Sequence, residues 1–353
     1  MSSHSTSGDP LRVSSPAAGS GRSSITIAFL GDVMLGRGVA EDVGRREPAS
    51  FWGDLVPILA ASDLVVANLE CAITKLTVPW TRTRKAFHFR APPDAVEVLR
   101  AGRVGAVALA NNHVLDFEEE GLLDTLRHLD TAGIAHAGAG ETLDQAREPA
   151  VVAAGALAVG IAAFTDNEPG WAAGPGRPGT SQLRFLPTPG ALRIVERSVA
   201  RAREKGASFI VLSLHWGYNM VERPPRPFRG FARAALERGV DLIHGHSAHI
   251  FQGVEIHHGK PILYDTGEAL DDYAVDPVLR NDRSFVFLAD VEGPRVRALR
   301  LVPILQQGTR VGLARGLDFE DACRRMQVLS AEMGTPTRPA PHGLTIPIPA
   351  AGI

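Results

Sequence analysis

From Ile25 onward the chain alternates between two patterns. Short apolar runs end in polar clusters: ITIAFLGD (25–32), DLVVANLE (63–70), GAVALANNH (105–113), FIVLSLHWG (209–217), VDLIHGHSAH (240–249) and PILYDTGE (261–268). Runs that are apolar on successive positions belong to strands of a sheet covered on both faces. Between them, PDAVEVLRAG (93–102), EEEGLLDTLRHLDTAG (118–133), LRIVERSVARAREKG (192–206) and FRGFARAALERG (228–239) read as helices, several closing on the Gly that stops a helix. Strands alternating with helices predict an α/β architecture. This pattern fills residues 25–310. Residues 1–24, rich in Ser, Gly and Pro, are expected to be a disordered tail. Residues 311–353 are set apart as one helix, LDFEDACRRMQVLSAEM (317–333), and a peripheral Pro-rich end.

Each of these strands delivers Asp, Glu, Asn or His at its carboxyl end, the edge at which open α/β sheets bind ligands. The candidates are Asp32, Glu70, Asn112, His113, His215, His244, His246 and His249. Carboxylate, amide and imidazole together suit a divalent ion such as zinc, manganese, iron or cobalt, and suit calcium or magnesium less well. One member alone, such as His215, reads equally as a hydrogen-bonded core histidine. That reading weakens with every further strand, because burying unpartnered polar groups is costly.

Composition narrows the partner. At 353 residues and 44% hydrophobic, the chain can bury a large core. Its 37 Lys and Arg nearly cancel 39 Asp and Glu, so no general polycation faces a nucleic acid or an anionic membrane, and a small or peptidic partner is expected. Cys71 and Cys323 are too few for a disulfide scaffold and fit a reducing cytosol, with Cys71 read as a small buried hydrophobe. The start lacks the apolar core of a signal h-region and no stretch reaches the roughly 18 apolar residues of a membrane helix, so neither a signal sequence nor a membrane span is expected, and a cytoplasmic location is expected. WTRTRKAFHFR (80–90) offers Arg82, Arg84, Lys85 and Arg90 to carboxylates or to solvent, and the Gly/Pro-rich stretch 167–182 with Trp171 reads as a lid or a long connection.

The ordered motifs GDVMLGR (31–37), ANLECAIT (67–74), ANNHVLDF (110–117), LHWGYN (214–219) and HGHSAHI (244–250), followed by GKPILYDTG (259–267), resemble the CapA/PgsA-type poly-γ-glutamate capsule biosynthesis family, a branch of the calcineurin-like metallophosphoesterases. The resemblance spans about residues 25–305. It implies a sandwich of two mixed β-sheets flanked by helices, with one or two metal ions at the strand ends. It further implies Asp32, Glu70, Asn112, His215, His246 and His249 as ligands and His113 as a proton donor, and Asp116 is placed to orient His113. His244 is additional, in an outer layer or facing away, and the role of Glu268 stays open. Two departures from the phosphoesterase pattern are visible: no histidine stands two residues after Asp32, and GHSAH is one residue longer than the usual glycine-histidine-X-histidine. One tight metal is therefore expected rather than two.

Three functions follow from these residues. In the first, a metal acidifies a peptide Cα–H and His113 with a second base, His215, His249, Tyr218 or Lys85, epimerises the residue. In the second, a metal-dependent phosphoesterase or amide hydrolase uses His113 to protonate the leaving group. In the third, a non-catalytic accessory protein holds an anionic polyglutamate chain. Peptide epimerisation is the expectation, on a peptide or polyglutamate substrate, with Arg37, Lys85, Arg90 and Tyr218 as candidate substrate contacts.

Overall fold

A computed structural model describes residues 24–349. The expected tail therefore lies, apart from Ser24, outside the described residues. Two mixed sheets stack face to face with helices on their outer sides. The larger sheet has ten strands. Its main path runs 338–340, 343–347, 295–307, 283–292, 24–33, 64–69, 104–108 and 135–137, with 268–270 beside 24–33 and 310–313 beside 295–307. The smaller runs 254–257, 260–263, 242–246, 209–215, 157–165 and 150–154. This is the α/β sandwich that the resemblance implies.

The continuous apolar runs are explained by burial on both faces. Along Ser24–Val33, Ile25, Ile27 and Phe29 enter the layer shared with Val159, Ile161, Phe209 and Leu242 of the smaller sheet. The alternate residues Ala28 and Leu30 pack instead with the helical residues Val98, Leu99, Leu122 and Leu126. The smaller sheet repeats the device, with Leu212, Leu214 and Ile243 buried against Val195, Phe231 and Ala235 of helices Pro189–Glu204 and Arg226–Leu236.

The end of the chain differs from its reading as a peripheral piece. Helix Gly316–Glu332 buries Ala322, Cys323, Met326 and Leu329 in the inter-sheet core, and strand Gly343–Pro347 adds Leu344 and Ile346 to the same cluster while pairing with 295–307. The short apolar spacing of this segment is completed only by the sheet edge it covers.

What positions the site is the convergence of parallel strands. Strands 24–33, 64–69 and 104–108 are mutually parallel, as are 157–165, 209–215, 242–246 and 260–263. His244 bridges the two layers, its Nε2 lying 2.9 Å from the Leu30 carbonyl oxygen. Two glycines allow the segment 264–268 to lie directly on the strand ends. A Cβ on Gly31 would sit 1.7 Å from the Gly267 oxygen, and one on Gly245 would sit 2.0 Å from the Tyr264 oxygen. The close approach permits Asp32 N–H to donate to Gly267 and Thr266 N–H to donate to Gly245, both at 2.9 Å.

Candidate metal centre

Asp32 ends the first strand and is fully buried. Its Oδ1 accepts a hydrogen bond from Asn68 Nδ2 at 2.7 Å and lies 3.8 Å from His246 Nδ1, while Oδ2 lies 3.5 Å from His249 Nδ1. Asp32, His215 and His246 present ligand atoms within 4.8 Å of one another, and so do Asp32, Glu70 and His249. The two groups share Asp32. The arrangement offers two adjoining groups of ligand atoms, each of which could hold a cation.

The donor set fits a divalent ion because it crowds more buried oxygen and nitrogen atoms together than the protein's own hydrogen bonds satisfy. Asp32 Oδ2, both oxygens of Glu70, both of Glu268, Asn112 Oδ1 and His249 Nδ1 are buried without a hydrogen-bond partner. Leaving several carboxylate oxygens unpaired in a core is expensive, and a divalent cation is the group that satisfies oxygen and imidazole nitrogen together. Burial pushes the Glu70 carboxyl well above its usual range, with the Asp32 charge adding to it, and burial with the neighbouring Asp271 does the same to Glu268. Burial pulls the His249 imidazole down, but Glu70 and Asp32 outweigh it and hold it at about 9. Burial keeps His215 near 3 and His246 well below its usual value, so both are neutral, the ligating form.

Glu268 joins the centre through register: it pairs with Asp32 across parallel strands, and its Oε1 is 2.5 Å from His249 Nδ1. It thereby adds a carboxylate to a site that lacks the expected second histidine. Met34 occupies that sequence position and is core, its sulfur accepting the Gly36 N–H at 2.9 Å.

A hydrogen-bonded group of His113, Asp116 and Lys85 stands beside Glu70. His113 Nε2 is 3.9 Å from Glu70 Oε1, and its Nδ1 is 2.6 Å from Asp116 Oδ2. Asp116 Oδ2 also accepts the Phe89 N–H at 2.6 Å, and Oδ1 is 3.3 Å from Lys85 Nζ. Burial, opposed by Lys85, places the Asp116 carboxyl at about 7, and burial with the Lys85 charge keeps His113 well below its usual value. The Phe89 ring stacks on the imidazole with centroids 4.2 Å apart.

An outer layer fixes these side chains. Ser213 Oγ is 2.9 Å from His246 Nε2 and 3.2 Å from His244 Nδ1, so His244 lies behind the two ligand groups and supports the residue that orients His246. Asn111 donates to Asn68 Oδ1 and accepts the N–H groups of His113 and Val114. Asp265 accepts the N–H groups of Ala248 and Gly267, each at 2.8 Å, holding the loop of His249, whose φ is +59°.

The candidate substrate contacts are dispersed. Lys85 is buried, donates to the Asn112 carbonyl at 2.5 Å and lies 5.0 Å from the Trp171 ring, so it belongs to the His113 group. Arg90 donates to the carbonyls of Lys75 and Leu76, which takes up its Nη1 in loop structure. Arg82 pairs with Glu118 and Glu119. Arg37 pairs with Asp272 at 3.4 Å, and Tyr218 is 77% exposed. The stretch 167–182 packs against the body of the protein, with Trp171 buried edge-on against Trp80 and the Gln182 amide donating to the Asn167 carbonyl. Cys71 is fully buried and burial pushes its thiol up to about 12, which removes it as a nucleophile.

The residues that sequence reasoning passed over are Asn68, Asn111, Ser213, Asp265 and Tyr273. Asn68 and Ser213 carried a signal, since each lies two positions before a ligand on the same strand face. Tyr273 carried none. Its hydroxyl is buried without a partner, and its ring meets His249 edge-on at 5.2 Å.

The bacterial capsule synthesis protein PGA_cap profile matches residues 26–273. A probable polyglutamine synthesis accessory protein of Mycobacterium tuberculosis is 32% identical over 375 residues, covering 93% of this chain and 97% of its own. The PGA biosynthesis protein CapA of Bacillus subtilis is 29% identical over 250 residues, 70% of this chain and 63% of its own. Among solved structures, the sulfate thiohydrolase SoxB of Thermus thermophilus aligns over 88% of this chain and 60% of its own at 13% identity with a TM-score of 0.38, an overlap too low to support an inference. With the greater part of the sandwich matched and a relative similar over nearly its whole length, the chain belongs to the bacterial capsule synthesis protein PGA_cap family.

Proposed function

We propose that the protein is a divalent-metal-dependent hydrolase that cleaves an amide bond in an anionic peptide or polyglutamate chain. The observation that carries this reading is the sharing of Asp32 between two ligand groups beside the His113–Asp116 pair. Ions held by Asp32, Glu70, Asn112, His215, His246, His249 and Glu268 would polarise a substrate carbonyl and acidify an attacking water.

The chain's own residues do the rest. Asp116 accepts from His113 Nδ1, which leaves Nε2 directed at Glu70 as a base. Nε2 takes a proton from the attacking water and returns it to the leaving nitrogen as the C–N bond breaks, so no proton is gained or lost overall. Phe89 and Lys85 keep the imidazole and its carboxylate partner from rotating.

Epimerisation, the expectation from sequence, needs a second base opposite His113. Three of the four residues considered for it are engaged elsewhere, which supports hydrolysis as the reading. His215 and His249 are taken into the ligand groups, Lys85 is bound to Asp116 and the Asn112 carbonyl, and Tyr218 is exposed. The substrate class rests on the names of the Mycobacterium and Bacillus relatives, which refer to polyglutamine and PGA synthesis. The test is incubation of metal-loaded protein with a glutamate oligomer in H₂¹⁸O and, separately, in D₂O. Hydrolysis gives shorter fragments carrying ¹⁸O. An intact oligomer one mass unit heavier in D₂O would establish epimerisation instead, and tight binding without either change would establish an accessory role.

A further inference from the structure

A separate set of ligand atoms converges far along the smaller sheet, at the tip of a hairpin. Glu237, His257 and His258 each offer one atom, all within 4.8 Å of one another. His257 ends strand Val254–His257 and pairs with Lys260, which begins strand Lys260–Leu263, so His258 and Gly259 are the two central residues of the turn. Both have positive φ, 50° and 75°, as a type I′ turn requires. Successive strand residues point to opposite faces, and two adjacent histidines would ordinarily diverge. The turn curls them together instead, with ring centroids 4.2 Å apart.

The third group comes from a different element. Glu237 caps the carboxyl end of helix Arg226–Leu236. Its Oε1 lies 3.1 Å from His257 Nε2. A tetrahedral site with bonds of about 2.0–2.1 Å separates its ligand atoms by roughly 3.3 Å, so this pair is close to the required spacing. The nearest lysine does not compete for the carboxylate: Lys260 Nζ donates to the carbonyls of Val240 and Leu236, at 2.6 and 3.1 Å, and lies 3.2 Å from Asp241.

We propose that Glu237, His257 and His258 form a second, surface metal site for a borderline divalent ion of the zinc, nickel or copper type. The site fastens the hairpin tip to the end of the helix and leaves one coordination position to water. It is independent of the Asp32 centre and weaker, because Glu237 is exposed and its desolvation assists little.

The full chain, stripped of metal, is titrated with zinc chloride by calorimetry, and histidine ring signals are followed by NMR. The expected isotherm has a tight class from the Asp32 centre and a weaker class of one ion that shifts the His257 and His258 rings. His258→Asn keeps a residue suited to the left-handed turn, and Glu237→Gln keeps the size of the cap. Each is expected to weaken the second class at least tenfold and to leave the tight class unchanged. A weaker class that both variants retain, or its absence in the unmodified chain, overturns the proposal. Loss of the tight class alone would count against the Asp32 centre and not against this site.

Discussion

The Nδ1 atoms of His215 and His246, at paired positions on neighbouring parallel strands, face each other across 3.0 Å. Burial keeps both rings neutral, so two imidazole lone pairs can be turned toward one point next to Asp32 Oδ1. Ser213 sets which nitrogen of His246 is offered: a proton on Nε2, donated to Oγ at 2.9 Å, leaves Nδ1 free to ligate.

Ser213→Ala removes that partner without touching a ligand. Metal affinity is expected to fall by about 10–100-fold, the usual effect of losing an outer hydrogen bond to a ligating histidine. Competition with a chromophoric chelator measures it, with the far-ultraviolet circular dichroism unchanged.

Metal loading should expel protons. In the metal-free protein burial holds the Glu70 and Glu268 carboxyls well above the usual carboxylate range, and His249 sits at about 9. Raised values mean that the proton competes with the cation, and the competition is relieved as pH rises. Affinity is therefore expected to increase steadily between about pH 6 and 9. Calorimetry in two buffers of different ionisation enthalpy reports the number of protons released; a pH-independent affinity would contradict the ligand assignment.

His113→Asn should separate binding from turnover. Metal content is expected to stay at the unmodified level while cleavage of a glutamate oligomer drops by about 10²–10⁴-fold, the range for losing a general acid–base. Asp116→Asn, which removes the charge but not the shape behind Nδ1, is expected to lose less.

The C-terminal helix is part of the core. Met326 is fully buried among residues of both sheets, and Met326→Ala is expected to cost about 2–5 kcal/mol in denaturant unfolding. A change within experimental error would restore the peripheral reading.

Much of this molecule could be read along the chain, and the remainder shows what such reading lacks. The six quoted strands and the first helices were visible because burial on both faces writes an unbroken apolar run. The hairpin Arg283–Glu292 and Arg295–Gln307, the middle of the larger sheet, has the same apolar composition in SFVFLADVE, but it runs antiparallel to Ser24–Val33, so its closing carboxylates Asp290 and Glu292 lie at the start of that strand and pair with Arg300 and Arg297. Asp32, Glu70, His215, His246 and His249 were singled out because strand ends concentrate function, and the structure brings them together. Glu268 could not be assigned, since its place depends on register with Asp32 across strands 236 positions apart. Arg90 read as a substrate contact because its cation was visible and its loop carbonyl partners were not.

The most direct measurement is anomalous diffraction from crystals of the protein loaded with manganese. The account predicts two peaks on either side of the Asp32 carboxylate, one among Asp32, His215 and His246 and the other among Asp32, Glu70 and His249, both lost in Asp32→Ala. Crystals saturated with manganese that show no peak at Asp32, or an Asp32→Ala protein that keeps its full metal content, would contradict it.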